Sequence, residues 1–240
     1  MQKILVIEHQ PDAGLAHLGE RFAELGIQVT TVQGPAASEL SLNSETLREF
    51  DGLIVLGGSV GPLDDLAAPW LPATRELLAQ AVEQGLPTLG ICLGAQLLTV
   101  ALGGQVTTMP NGPEIGLQQV TLSDAGESDP LLGGLSDGDD TLRSLPVVQW
   151  HWLESSELAP GSVLLASNEH CTNQAFRIGD RAWGLQFHPE ALVSAVRAWT
   201  KIDDVSELGL NEADIIAEVS AETPRLRFIW QQLADRFAAL

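Results

Sequence analysis

The sequence predicts an α/β protein, a three-layer sandwich with a mostly parallel central sheet covered by helices on both faces. Two observations predict it. Short, continuously apolar runs of strand length alternate with longer segments of helical periodicity, the pattern of a sheet buried on both sides. Two of those runs pass into glycine-rich turns, Gly57-Gly58-Ser59-Val60-Gly61 and Gly90-Ile91-Cys92-Leu93-Gly94, where a chain leaving a strand can bend sharply. With 240 residues and an apolar share of 45%, the chain can bury a sizeable core and does not read as disordered.

The elements follow in order. KILVIE at 3–8 is a buried first strand, and 15–25 has helical periodicity that stops at Gly26, a natural C-terminal cap. Residues 27–32 are a second strand and 51–56 a third, which runs into the 57–61 loop. A helix over 71–84 returns the chain to a strand at 87–91, and 93–101 is helical until Gly103-Gly104 ends it. After Gln105 the rhythm changes to short strands at 117–122, 162–166, 173–177 and 182–187. These read as partly antiparallel, with a hairpin turn at Ile178-Gly179-Asp180-Arg181. The Gly-, Asp- and Ser-rich stretch 123–140 reads as surface loop, and Pro224 as the opening of a last amphipathic helix to Leu240. We expect a domain over 1–200 and a helical extension over 201–240 packed on or beside it. No internal repeat is visible.

The net charge is −20, from 32 acidic and 12 basic residues. A surface that acidic repels phosphate backbones and anionic headgroups, which argues against nucleic-acid and membrane-surface partners. Two cysteines, Cys92 and Cys171, are too few for a disulfide framework, and the N-terminus lacks a signal-peptide core. Residues 84–113 carry no charge, but Pro87, Gly90, Gly94, Gln96, Gly103 and Gly104 interrupt them. A strand followed by a buried helix accounts for that stretch better than a membrane span does. The expected compartment is the cytoplasm.

The chemistry centres on Cys92. It sits where a buried strand meets a helix, in a Gly-x-nucleophile-x-Gly elbow with cysteine as the nucleophile. A helix N-terminus favours negative charge on the sulfur, and the Leu93 N–H would face a developing oxyanion. The bland alternative is a structural cysteine in a glycine-rich strand end. A second piece is Gln186-Phe187-His188-Pro189-Glu190 at the end of a strand. Residues i and i+2 of an extended segment share a face, so His188 and Glu190 can lie side by side, and Pro189 keeps His188 out of helical geometry. A carboxylate beside an imidazole fixes its tautomer and stabilises the cation formed on taking a thiol proton. Alone, the segment is also readable as a solvated turn.

Together these segments resemble the class I, triad-type glutamine amidotransferases. GICLGAQLL is similar to their nucleophile segment, GLQFHPE to their His-Pro-Glu segment and VLGGSVG at 55–61 to their oxyanion loop. Glu114-Ile115-Gly116 and Asn173-Gln174-Ala175-Phe176 resemble segments of stand-alone members that are themselves similar to the amidotransferase subunit of GMP synthase. The resemblance covers roughly residues 3–200. It implies a flavodoxin/Rossmann-like fold and hydrolysis of glutamine to glutamate and ammonia through a γ-glutamyl thioester on Cys92, with no cofactor. His188 would be base and then acid, Glu190 its orienting partner, the Gly58 and Leu93 N–H groups the oxyanion donors, and Gln96 a holder of the substrate's amino-acid end. VQWHW at 148–152 falls where relatives place a Trp-His pair near the pocket mouth, and is equally readable as an aromatic core strand. Two places depart from the pattern: Ala95 stands where many members have histidine, and Trp152-Leu153-Glu154 stands where relatives often continue the Trp-His pair with Gly-Asp. The residues after 200 are too few to form a synthetase domain, so none is expected within these 240 residues.

Three functions fit: an amidotransferase component that passes ammonia to a synthetase partner, a stand-alone γ-glutamyl peptidase or amidase, and an inactive regulatory homologue. The substrate in the first two is a small molecule, glutamine or a γ-glutamyl compound. An α/β-hydrolase is disfavoured because there the acid precedes the histidine in the chain. His170-Cys171 lacks the companions of a metal site, the 57–61 glycines lack a P-loop's Gly-Lys-Ser/Thr, and no metal is expected. His9 and His17 read as surface or strand-end histidines.

Overall fold

The computed structural model describes residues 1–11, 13–39, 42–135 and 143–240. The first half is built of strands that return through helices: β1 (Lys3–Glu8), α1 (Ala16–Glu24), β2 (Gln28–Gln33), α2 (Gly34–Glu39), α3 (Ser44–Leu47), β3 (Gly52–Val55), α4 (Leu71–Glu83), β4 (Thr88–Ile91) and α5 (Leu93–Ala101). The second half is mostly strand: β5 (Gln105–Thr108), β6 (Glu114–Leu122), α6 (Asp124–Glu127), β7 (Ser144–His151), β8 (Leu153–Glu157), β9 (Ser162–Ser167), β10 (Ala175–Ile178) and β11 (Ala182–Leu185). Helix α7 (Val193–Trp199), a 3₁₀ turn (Val205–Leu208) and the long α8 (Glu212–Ala238) follow.

Nine strands form one sheet in the order β2-β1-β3-β4-β11-β10-β9-β6-β7, and β5 pairs with β8 in a separate ribbon. The strands from β2 to β11 run parallel, and those from β11 onward pair antiparallel through the hairpin at 179–181. Alternation divides each central strand between two cores. Ile4, Val6, Ile54 and Leu56 join one cluster with α1 and α8, while Leu5, Ile7, Leu53 and Val55 join another with α4 and α5. The architecture is thus the expected three-layer α/β sandwich. Among the described residues, no helix is long and apolar enough to cross a membrane.

Two regions differ from the sequence reading. Helix α8 starts well before Pro224, capped by Asn211, whose side-chain oxygen accepts from the Ala213 and Asp214 N–H groups. Pro224 lies inside it, where a proline would normally break the helix. Here the carbonyl it orphans, on Ser220, lies on the exposed side where water can reach it. Ile215 and Val219 before the proline and Leu226, Ile229, Trp230 and Leu233 after it pack into one core, so both halves stay docked. Each such side chain, once buried, contributes roughly 1.5–3 kcal/mol. The stretch 123–140, read as surface loop, contains α6 and the buried Leu131, Leu132 and Leu135, while 136–140 lie outside the described residues. Buried Asp129 ties this turn down. Its Oδ1 accepts from the Leu131 and Leu132 N–H groups and the Trp183 indole, and its Oδ2 from Arg177.

Candidate active site

Adjacent strands β3, β4 and β11 deliver their carboxyl ends to one place, the edge of an open α/β sheet where ligands usually bind. Cys92 stands between β4 and α5 with φ 50° and ψ −107°, a left-handed conformation that strains a residue with a Cβ by roughly 1–3 kcal/mol. Its flanking glycines make that bend possible. A Cβ on Gly90 would lie 2.5 Å from the Gly94 carbonyl oxygen, and one on Gly94 only 1.9 Å from the Val55 oxygen. The turn therefore presses β4, α5 and β3 backbone to backbone, and the strain is locked in by the Cys92 N–H donating to the Leu185 carbonyl at 2.7 Å. The sulfur lies at the amino end of α5, with Gln186 Nε2 3.8 Å away.

His188 follows β11, buried, with its Nδ1–H donating to Glu190 Oε1 at 2.7 Å. The pair forms as the sequence reading expects, but not by extended i, i+2 geometry. Residues 189–190 make a turn, closed by the Ala191 N–H reaching the His188 carbonyl at 3.3 Å. His17 braces that turn from α1, its Nε2 2.8 Å from the Pro189 carbonyl. Burial alone would lower the His188 pKa, but the charge of Glu190 and then that of Cys92, with hydrogen bonds to both, raise it to about 10. Trp199 packs on the ring, 4.7 Å between centroids. A proton is held on this imidazole at neutral pH.

Cys92 and His188 open into one cavity of about 320 Å³, near the lower end of the 300–1,000 Å³ usual for small-molecule sites. Gly58, Ser59, Val60 and Gly61 form one wall, and Gln96 another, its Nε2 bonded to the Leu153 carbonyl and Gln186 Oε1, both at 3.2 Å. Leu93 contributes only backbone here: its side chain is buried in the other core, and as the first residue of α5 its N–H has no acceptor within the helix. Added Cβ atoms on Gly57 and Gly58 would meet His188 Cε1 at 3.0 Å and His9 Cβ at 2.9 Å, so a side chain at either position would crowd the histidine beside it.

The structure corrects the reading of two histidines. His9 and His17 are buried, not superficial. His9 backs the Gly58 loop and accepts from the Trp70 indole at 3.0 Å, and burial lowers its pKa to about 4. Burial likewise lowers that of His17. Both stay neutral and structural. The 148–152 segment combines its two readings: it is core strand β7, and its end supplies Trp150, His151 and Trp152 to the cavity. Sequence reasoning missed Gln10, Trp199, Ile202 and Asp203, which also line it. Gln10 gives a readable signal, a polar residue just past a parallel strand, whereas the others lie in a segment whose place depends on how α7 packs. Among the described residues, no three of His, Cys, Asp and Glu converge on a metal position.

The two cysteines are unequal. Cys92 faces the cavity, while Cys171 is fully buried and its pKa is raised, first by burial and then by Glu154 and Glu114. Iodoacetamide should therefore label Cys92 well before Cys171; mass spectrometry of partly alkylated protein would reveal the opposite order if this is wrong.

The family model for class-I glutamine amidotransferases matches residues 12–198. Gamma-glutamyl peptidase 3 of Arabidopsis thaliana is 29% identical over 194 residues, 80% of this chain and 75% of that protein. A glutamine-hydrolysing GMP synthase subunit of Natronomonas pharaonis is 31% identical over 192 residues, 79% of this chain and 89% of that protein. A crystal structure of a glutamine amidotransferase from Thermotoga maritima superposes with a TM-score of 0.85 at 24% identity, covering 100% of this chain and 99% of that one, a likeness of fold.

Proposed function

The chain belongs to the class-I glutamine amidotransferase family, and on that premise we propose that it hydrolyses the γ-amide of glutamine or a glutamine-like substrate through Cys92, His188 and Glu190. The observation that carries the reading is the buried Glu190–His188 pair, with His188 and the strained Cys92 opening on one cavity. With the thiol proton resting on His188, the sulfur attacks the amide carbon and the C=O electron pair moves to oxygen, toward the Gly58 and Leu93 N–H groups. Collapse expels ammonia, which takes the His188 proton and leaves a γ-glutamyl thioester. Water then gives a proton to His188 and attacks the thioester, releasing glutamate and the thiolate. Gln96 would hold the amino-acid end of the substrate.

Two versions of this chemistry differ in what leaves. In the amidotransferase version the ammonia passes to a synthetase partner, as the archaeal relative's place in a GMP synthase suggests. In the other the chain is an independent γ-glutamyl peptidase, the activity named for the plant relative. Product release from L-glutamine and from a panel of γ-glutamyl dipeptides separates them: dipeptide turnover well above glutamine selects the peptidase, slow glutamine-only turnover the partner-dependent amidotransferase. No turnover of either would leave the regulatory homologue as the reading.

The triad makes a graded prediction. His188→Ala should cost about 10³- to 10⁴-fold in kcat and Glu190→Gln about 10- to 10²-fold, since an orienting group contributes less than the acid–base itself. The pH profile supplies a second readout. His188 titrates near 10 because Glu190 favours its cation, so wild-type kcat/KM should fall on an alkaline limb near that pH. Removing the carboxylate's negative charge lets the imidazolium lose its proton sooner, and the limb should move to lower pH in Glu190→Gln. An unmoved limb, or losses equal to those of His188→Ala, would give Glu190 some other task.

A further inference from the structure

Among the described residues that line the cavity, Asp203 is the one carboxylate, and none is a lysine or arginine. Asp203 is held from two directions: its backbone N–H donates to the Trp199 carbonyl at 2.9 Å, and its Oδ2 accepts from the Trp150 indole at 2.8 Å. Among the described residues it has no ion-pair partner, and its Oδ1 accepts no hydrogen bond. Trp150 and Trp199 stand against one another at 5.6 Å between centroids, and Trp199 reaches across to the His188 ring. A fixed, unneutralised carboxylate beside two indole rings is an environment that stabilises a small organic cation, through charge at one side and ring quadrupoles at the other.

We propose that Asp203, with Trp150 and Trp199, forms the subsite for the substrate's α-ammonium group, so that the cavity selects γ-amides that carry a free primary amine. This rests on reading the site as a γ-amide hydrolase and names a specificity determinant within it. Asp203 comes from the segment after α7, which makes that segment part of the substrate site as well as of the fold.

The test is steady-state hydrolysis of L-glutamine and γ-L-glutamyl-p-nitroanilide, each beside its Nα-acetyl derivative, by wild-type protein and Asp203→Asn. Asparagine keeps an oxygen for the Trp150 indole and removes the charge. Wild type should prefer the free amines by about 10- to 100-fold in kcat/KM, the range of a charge-assisted contact. Asp203→Asn should erase that preference by raising KM for the free amines, with kcat and the acetylated substrates nearly unchanged. A wild-type enzyme indifferent to acetylation overturns the inference without any variant, as does an Asp203→Asn enzyme that keeps the preference or loses activity equally on all four. Absence of Cys92-dependent turnover of any of them would instead overturn the hydrolase reading, and the subsite with it.

Discussion

Cys92→Ala is expected to lose hydrolysis of glutamine and γ-glutamyl amides to background, a fall on the order of 10⁶-fold in kcat where the nucleophile is removed outright. Its melting temperature should move by only a few degrees. The contrast follows from what the substitution touches. Alanine keeps the Cβ, so the backbone strain at φ 50° is unchanged, and the side chain being shortened faces a cavity already open to a ligand. The two glycine approaches that hold the elbow do not involve the sulfur. What disappears is the atom that must form the thioester and one of the charges that raise the His188 pKa. Ammonia release measured with matched, calorimetrically characterised samples decides the matter. Turnover surviving in a folded Cys92→Ala protein would remove this residue from the mechanism. Loss of activity together with loss of the folding transition would say only that the elbow had collapsed.

The legibility of the fold in the sequence followed the physics of each part. Strands β1, β3 and β4 are buried on both faces, so their signal is a continuous apolar run, and glycines mark the ends of β3 and β4. The nucleophile segment was legible for the same reason: Gly90 and Gly94 are demanded by backbone contacts, and contacts of that kind leave a fixed spacing. The His188–Glu190 pair was legible as a pair, but its geometry was not, because Pro189 is compatible with an extended chain and with the turn that forms. Pro224 misled in the opposite sense. Local propensity places a helix start there, and the hydrophobic contacts of Ile215 and Val219 on one side and Leu226 onward on the other override it. The surface reading of 123–135 failed because its anchor is a single buried aspartate, Asp129, whose partners Arg177 and Trp183 lie far along the chain. Asp203 and Trp199 escaped notice for the same reason. Their proximity to Cys92 is created by tertiary packing of α7 beside the sheet, and no spacing in the sequence encodes it.

Gly94→Ala should be among the most destabilising single substitutions in the molecule, costing about 3–5 kcal/mol, well beyond the usual range for one added methyl. The added Cβ would sit 1.9 Å from the Val55 carbonyl oxygen and 3.2 Å from that of Leu56, atoms of backbone that cannot rotate aside. Relief requires α5 to lift away from β3, and α5 carries Cys92 at its amino end. The same displacement would pull the sulfur and the Leu93 N–H away from the Gly57-Gly58 wall, so residual folded protein should also be slow. Gly85→Ala is the control. That glycine has φ 66° with nothing within 4 Å of a would-be Cβ, so its substitution meets conformational strain alone, of about 1 kcal/mol. Urea unfolding of the two variants beside wild type measures the difference. If Gly94→Ala unfolds at the same urea concentration as Gly85→Ala, the close approach of α5 to β3 is not what holds the elbow, and the strain at Cys92 must be maintained by something else.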